Sequence, residues 1–384
     1  MSTFVTGANG FLGSYVATDL LNGYDERLSL LVRAADQQKA KERLWNALQM
    51  HMGFEQFRQF VEDRVDIYLG DLTAPSFGLE PGDYDRLVKS TSSIIHIAAS
   101  LNRRSDKAAL NVNLRGTLEV LKLARAAQDH HGLRRISDVS TSAVAGERSG
   151  ENILEDTSIE WSRRDYDPYA RSKKFCEHML HELLPEVPQT VFRPSIVMGD
   201  SRFPETTQFD MVRAFVYLAR LPVIPLHPDW RVDIVPANYV GKAIVELHQR
   251  DQTEHGIYHL AAGEASLTAR QLIGGLRIHG KPLRALLMPT LAEPVGRLAD
   301  IIAGTPRQWG VSGVGGLFKV FWPYICFDTV FDNSRVVDEL GEAPAAFTDY
   351  GSALIDFVLD NDFTYPYQPW PQGGPSAEVT PSLA

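Results

Sequence analysis

Through about the first 200 positions, short runs of β-branched and other apolar residues alternate with longer stretches in which apolar side chains recur every three or four residues. The short runs predict strands at Thr3–Thr6, Leu28–Val32, Val65–Leu69, Ser93–His96, Arg135–Ser140 and Thr190–Arg193. The longer ones, among them Phe11–Leu21, Leu110–Ala127 and Tyr169–Leu184, predict amphipathic helices. Strand and helix in alternation predict an α/β fold, a doubly wound parallel sheet with crossover helices on both faces. Beyond Gly199 the alternation weakens and prolines punctuate the chain, as in Leu221-Pro222-Val223-Ile224-Pro225-Leu226. Arg231–Pro236 and a helix from Ala237 to about His248 follow, and a strand at Ile257–Ala261 is expected to return to the main sheet.

This pattern divides the chain. Residues 1–200 with about 231–262 form the sheet domain, and about 201–230 with 263–362 form a smaller, mostly helical substrate-binding region. Residues 363–384, dense in proline and glycine from Tyr365 onward, are expected to be an extended or disordered tail.

Composition adds exclusions. A length of 384 residues with 44% hydrophobic and 22% charged is ample for a large core, and a formal net charge of -10 leaves no broad basic surface for nucleic acid. Cys176 and Cys326 are far apart and have no metal-ligand spacing, so neither a disulfide framework nor a metal site is expected, and His178 and His181 lack a third ligand. The first residues run straight into an apolar strand without a basic flank or cleavage site, so no signal peptide is expected and a cytoplasmic protein is.

The sharpest chemistry lies in Thr6-Gly7-Ala8-Asn9-Gly10-Phe11-Leu12-Gly13, between the first strand and the first helix. Gly7 permits a tight turn, Gly10 lets backbone N–H groups approach a pyrophosphate, and Gly13 lets the helix pack close on the strand. Asn9, Phe11 and Leu12 belong to the same phosphate-facing loop, and the arrangement predicts a Rossmann dinucleotide site. The second strand ends in Arg33 where a site selecting NAD offers an acid, and a guanidinium pairs with a 2′-phosphate, which favours NADPH. Arg43 is either a second cation there or part of a solvated helix face. Asp71 and Leu72 follow the third strand, within reach of an adenine or simply in a strand-end turn. Ala98 and Ala99 end the fourth strand with side chains small enough to let the cofactor lie on the backbone, while His96 before them reads as a buried structural histidine.

Tyr169 and Lys173 stand at i and i+4 on a helix that opens with Asp167-Pro168. The ammonium should stabilise phenolate, lower the tyrosine pKa and let the phenol exchange a proton with a carbonyl oxygen. Thr141, with Ser142 as second choice, sits at the C-terminal end of the fifth strand, where ligands bind in such sheets, and would hold the substrate oxygen. Asn113 either braces backbone or water beside Lys173 or is a solvated helix-face residue; Pro194 and Ser195 close the sixth strand and would border the nicotinamide.

In order and spacing, these residues resemble the extended short-chain dehydrogenases/reductases. Leu30-Leu31-Val32-Arg33-Ala34, Gly70-Asp71-Leu72-Thr73-Ala74-Pro75, Ile94-Ile95-His96-Ile97-Ala98-Ala99 and Arg231–Val240 resemble the thioester-reductase and fatty acyl-CoA reductase branch, over about the first 260 residues. That resemblance implies NADPH-dependent hydride transfer to an acyl thioester, from CoA or a carrier protein, or to an aldehyde. It further implies Thr141 and Tyr169 as oxyanion donors and Lys173 on the nicotinamide ribose. An alcohol or ketone dehydrogenase, a sugar-nucleotide epimerase or dehydratase, and a non-catalytic NADPH-binding regulator are the other readings of the same scaffold. Arg33 counts against the epimerase and the Tyr169–Lys173 pair against the regulator. The aromatic and glycine-rich stretch from Trp309 to Phe327 reads as buried core, an acyl tunnel or a membrane-touching surface, with membrane contact the less expected.

Overall fold

The computed structural model describes residues 1–103, 105–156, 158–291, 322–326 and 328–371. Seven strands form the main sheet: β1 (Ser2–Thr6), β2 (Leu28–Val32), β3 (Val65–Leu69), β4 (Thr91–His96), β5 (Arg135–Val139), β6 (Gln189–Pro194) and β7 (Ile257–Leu260), in spatial order 7-6-5-4-1-2-3. Every pairing is parallel. The order reverses between β1 and β4, and the loops leaving those two strands open the crevice in which such sheets bind ligands.

Strands covered on both faces need apolar or internally satisfied side chains, and both occur here. All five residues of β1, β2 and β5 are buried. The hydroxyls among them pair inside the sheet, Ser2 with Ser29 at 2.8 Å and Thr3 with Ser93 at 2.7 Å, which avoids the cost of unpaired buried polar groups. His96 is held between Thr6 Oγ1 (2.7 Å) and Thr117 Oγ1 (3.1 Å), and burial pushes its imidazole down to about 3, so it is a neutral structural histidine.

Helix α1 (Phe11–Gly23) crosses one face against α2 (Ala237–Gln249), and they touch closely because residue 241 is glycine: a Cβ there would stand 2.8 Å from the Tyr15 Cβ. The other face carries α3 (Arg115–His131) and α4 (Pro168–Leu183), whose Val120, Leu123, Ala124 and Leu180 pack with Phe4, Ile94 and Ile136 of the sheet.

A second core lies beyond the C-terminal ends of the strands. Val212 and Val216, Leu272 and Leu276, and Phe347, Leu354, Ile355 and Val358 of the helix Phe347–Asp360 close around Ile196, Met198, Val232 and Ile234. Small parallel pairings tie this region to the sheet domain, Ile196–Val197 with Ile234–Val235 and Glu151–Ile153 with Thr329–Phe331. Where the tail is described, residues 364–371 run without helix or strand, and Trp370 packs edge-on against Phe54 (ring centroids 5.0 Å) while the Gln368 carbonyl accepts from Trp45 Nε1 (3.3 Å). Residues 372–384, and the 309–327 stretch except Trp322–Cys326, lie outside the described residues. Among the described residues, no helix is long and apolar enough to cross a membrane.

Candidate active site

The turn after β1 is built by three glycines with three different constraints. Gly7 has φ +81°, and a Cβ on it would meet the Ala98 backbone nitrogen at 2.8 Å. A Cβ on Gly13 would stand 1.9 Å from the Gly7 carbonyl oxygen, so the helix can sit this close to the turn only without a side chain. Gly10 differs: its only neighbour within 4 Å would be the Gly7 oxygen at 3.2 Å, and it faces open space. Helix α1 therefore starts with no side-chain cap and no acidic residue in its first turn, leaving N–H groups and the positive end of the dipole toward a cavity.

That cavity has a volume of about 1220 Å³. Its wall includes Gly7, Asn9, Gly10, Phe11, Leu12 and Gly13 of the turn, Ala98 and Ala99 after β4, and Thr141, Ser142, Tyr169, Pro194 and Ser195. The volume is at the large end of ligand pockets, and an uncapped helix start beside a glycine without steric cover fits a dinucleotide pyrophosphate.

Arg43 lines the cavity while remaining exposed on its helix, with Nη1 donating to the Arg33 carbonyl. Arg33 itself stands at the rim, its side chain 76% exposed and 3.6 Å from the Asp71 carboxylate. Asp71 forms a strand-end turn, accepting from Thr73 N (2.9 Å) and Thr73 Oγ1 (2.8 Å), and these bonds hold its carboxyl below the usual carboxylate range. Leu72 packs on Gly116, where a Cβ would clash with Leu72 Cδ2 at 2.6 Å. Arg33, Asp71, Leu72, Asn113 and Lys173 are thus near the site without forming the cavity wall.

The helix carrying Tyr169 and Lys173 starts where it does because Asp167 caps it, Oδ1 accepting from Ala170 N at 2.8 Å, and Pro168 fills the first turn. Lys173 is fully enclosed behind Tyr169; its Nζ donates to the Val139 carbonyl (2.7 Å) and lies 3.9 Å from Asp138 Oδ1. Burial presses the ammonium pKa down, but Asp138 and neighbouring groups outweigh it and hold the value above the usual lysine range. Tyr169 departs from expectation. Burial raises its phenol above the ordinary value, against the opposing pull of Lys173 and Arg103. A proton donor is thereby kept neutral until a stronger base forms beside it.

Thr141 caps a short turn, its Oγ1 accepting from Ala143 N at 3.3 Å, and lines the cavity. Ser140, also in the wall, has a buried Oγ without a hydrogen-bond partner among the described residues, a third hydroxyl the strand-end pattern did not single out. Asn113 is buried in a π-helical turn, Leu110–Leu114, rather than solvated. Its Oδ1 accepts from Ser100 N (2.7 Å) and its Nδ2 donates to Ser172 Oγ (2.8 Å), bracing the loop after β4 against the residue next to Lys173.

Two further wall residues, besides Ser140, were not singled out from sequence. Arg103, in the loop after β4, and Tyr324, from the C-terminal region, both line the cavity and converge on Asp167. The loop following a parallel strand beside the switch point was a signal available for Arg103; Tyr324 falls in the aromatic stretch Trp309–Phe327, for which an acyl tunnel was one reading, but nothing marked this residue within it.

Comparison with known proteins places this geometry among relatives. The male sterility protein family model matches residues 5–244. The nonribosomal peptide synthetase asaC of Aspergillus flavus is 30% identical over 270 residues, which cover 67% of this chain and 26% of the relative. Glycine betaine reductase ATRR of Emericella nidulans is 27% identical over 330 residues, 83% of this chain and 25% of the relative. The chain thus spans about a quarter of the length of these two curated relatives. The terminal R domain from the myxalamid PKS-NRPS biosynthetic pathway superposes with a TM-score of 0.79 at 24% identity, over 94% of this chain and 91% of that one, and shares its fold.

Proposed function

The chain belongs to the male sterility protein family of NAD(P)-binding domains of the extended short-chain dehydrogenase/reductase type, and from that membership we propose that it is an NADPH-dependent reductase of acyl thioesters or aldehydes. The observation that carries the reading is the cavity whose wall includes the Gly7–Gly13 turn, Tyr169 and Thr141, with Lys173 buried one helical turn on from Tyr169. Relatives named as a peptide synthetase and a glycine betaine reductase support a substrate presented as a thioester on a carrier protein or CoA.

NADPH held along the α1 N-terminus would supply hydride to the substrate carbonyl. The chain's own residues handle the oxygen. Thr141 and Tyr169 both line the cavity, and as two hydroxyl donors they would stabilise the negative charge that develops on the carbonyl oxygen. Tyr169, neutral while the site is at rest, gives its proton to that oxygen, and the nearby Lys173 ammonium stabilises the phenolate that remains. Collapse of the resulting thiohemiacetal breaks the C–S bond and releases aldehyde and free thiol. The sum is one thioester, one hydride and one proton converted to one aldehyde and one thiol.

Preference for NADPH over NADH is inferred from two cations, Arg33 and Arg43, the second of which donates to the Arg33 backbone carbonyl. A reducing cytoplasm suits the two free thiols, Cys176 and Cys326. The test is NADPH consumption against acyl-CoA thioesters, aldehydes and ketones, with Tyr169→Phe as control. Turnover on thioesters or aldehydes that the substitution removes supports the reading, and turnover confined to ketones or alcohols moves the protein to the dehydrogenase class.

A further inference from the structure

Above the Tyr169 ring sits a cluster that the reaction as described leaves unused. The Arg103 guanidinium lies 5.0 Å from the centroid of the Tyr169 ring and 4.3 Å from that of Tyr324, between the two faces. It donates through Nη1 to Asp167 Oδ2 at 3.1 Å, and the Tyr324 hydroxyl donates to the same oxygen at 2.7 Å. The other oxygen of Asp167 caps the helix that bears Tyr169. Tyr166 stacks on the far side of Tyr324, with centroids 5.2 Å apart. The ion pair is nearly enclosed, with side-chain exposures of 13% for Arg103 and 9% for Asp167. Three separate parts of the chain thus fix one cation against one ring: the loop after β4, the start of the catalytic helix and the C-terminal region.

We propose that Arg103 is a positioning residue that acts through Tyr169: clamped by Asp167 and Tyr324, it is a second cation that favours the phenolate left when Tyr169 releases its proton. The inference rests on the reductase reading. A cation over a ring face gains most when the ring carries charge and water is excluded. Lys173 reaches Tyr169 from the next turn of its own helix, whereas Arg103 reaches it from a different element, so the two act independently. The groups that face Tyr169 are Lys173 on its helix, Asp138 on β5, Asp167 at the cap, Arg103 from the loop and Tyr324 from the C-terminal region. The two carboxylates oppose the two cations, and burial opposes the phenolate throughout. Because the clamp includes Tyr324, the region that would bind the substrate also sets the electrostatics of the proton donor.

The experiment uses the full chain with fluorotyrosine at position 169, whose phenol is more acidic than tyrosine's, and follows its titration by fluorine NMR alongside the pH profile of kcat. In Arg103→Met the titration should move to higher pH and kcat fall about tenfold with little change in KM, the scale of a desolvated cation–π contact. Arg103→Lys should restore part of both effects. Tyr324→Phe, which loses only the hydroxyl hold on Asp167, should move the titration the same way by less, and it decides the matter should Arg103→Met fail to fold. An unmoved titration in Arg103→Met, or in Tyr324→Phe should Arg103→Met fail to fold, overturns the proposal, as does a raised KM with the titration unmoved, which would make Arg103 a substrate contact. Failure of the reductase reading looks different: the wild-type protein would then fail to oxidise NADPH with any thioester or aldehyde, whatever the titration shows.

Discussion

Replacing Gly13 with alanine puts a methyl carbon 1.9 Å from the Gly7 carbonyl oxygen and 2.6 Å from its carbonyl carbon, more than 1 Å inside ordinary contact. Both obstacles are backbone, so no side-chain rotation relieves the clash; α1 must retreat from the turn. Overpacking of this kind costs about 1–3 kcal/mol, and in a folded domain of this scale each kcal/mol lowers the melting temperature by roughly 2–4 °C. Gly10→Ala makes the contrast, because its methyl group meets only the Gly7 oxygen at 3.2 Å and projects into open space. It should leave the melting temperature within about a degree of wild type while weakening NADPH binding at least tenfold, since the methyl occupies the approach to the α1 N–H groups. Gly13→Ala should lose both stability and binding. Thermal melts paired with titration of NADPH fluorescence separate the two. Gly10→Ala that binds NADPH as tightly as wild type refutes the assignment of this turn to the pyrophosphate, and Gly13→Ala with an unchanged melt refutes the close-packing argument.

Other outcomes follow from individual contacts. Asn113→Ala leaves the buried Ser100 N–H without its acceptor and frees Ser172, so it should destabilise by about 1–3 kcal/mol in denaturant titration and lower kcat more than it raises KM. Arg33→Ala should weaken NADPH about tenfold and leave NADH unchanged in parallel binding titrations; equal losses would show that Arg33 does not meet the 2′-phosphate. Glu155, buried and accepting from the backbone of His259 (2.5 Å) and Arg335 (3.1 Å), is pushed by burial up to about 7 from its ordinary 4.5. A carboxyl raised in this way binds more protons folded than unfolded, so its contribution favours the fold at low pH and is lost as pH rises from about 4.5 through 7. Glu155→Gln should flatten the stability profile across that window, and an unaltered slope would contradict the assignment.

Legibility of this chain followed locality. Strands buried on both faces announce themselves as apolar runs, and the glycine turn, the strand-end hydroxyls and the Tyr169–Lys173 spacing each depend on residues close in sequence, so the sheet and the heart of the cavity could be read directly. What depended on distant partners could not. Tyr324 meets Asp167 across 157 positions, and Thr329–Phe331 pairs with Glu151–Ile153 across the whole of the second half of the sheet domain. The phenol's direction of shift was misjudged because i,i+4 spacing reveals the cation but not the enclosure, and burial is the larger effect. Likewise Leu72 at a strand end could have faced a ligand; that it packs on Gly116 follows from where α3 crosses the sheet.

The most direct measurement is a single-turnover experiment with excess enzyme, NADPH and a carrier-bound or CoA acyl thioester, counting NADPH oxidised, thiol released and aldehyde formed. The account predicts one thiol and one aldehyde per NADPH when reduction stops at the aldehyde, or one thiol per two NADPH when it continues to the alcohol. It also predicts a rate lowered about 100- to 10,000-fold in Tyr169→Phe with NADPH affinity retained. NADPH bound by the wild-type protein but never oxidised by any thioester or aldehyde, or thiol release that Tyr169→Phe does not slow, would contradict it.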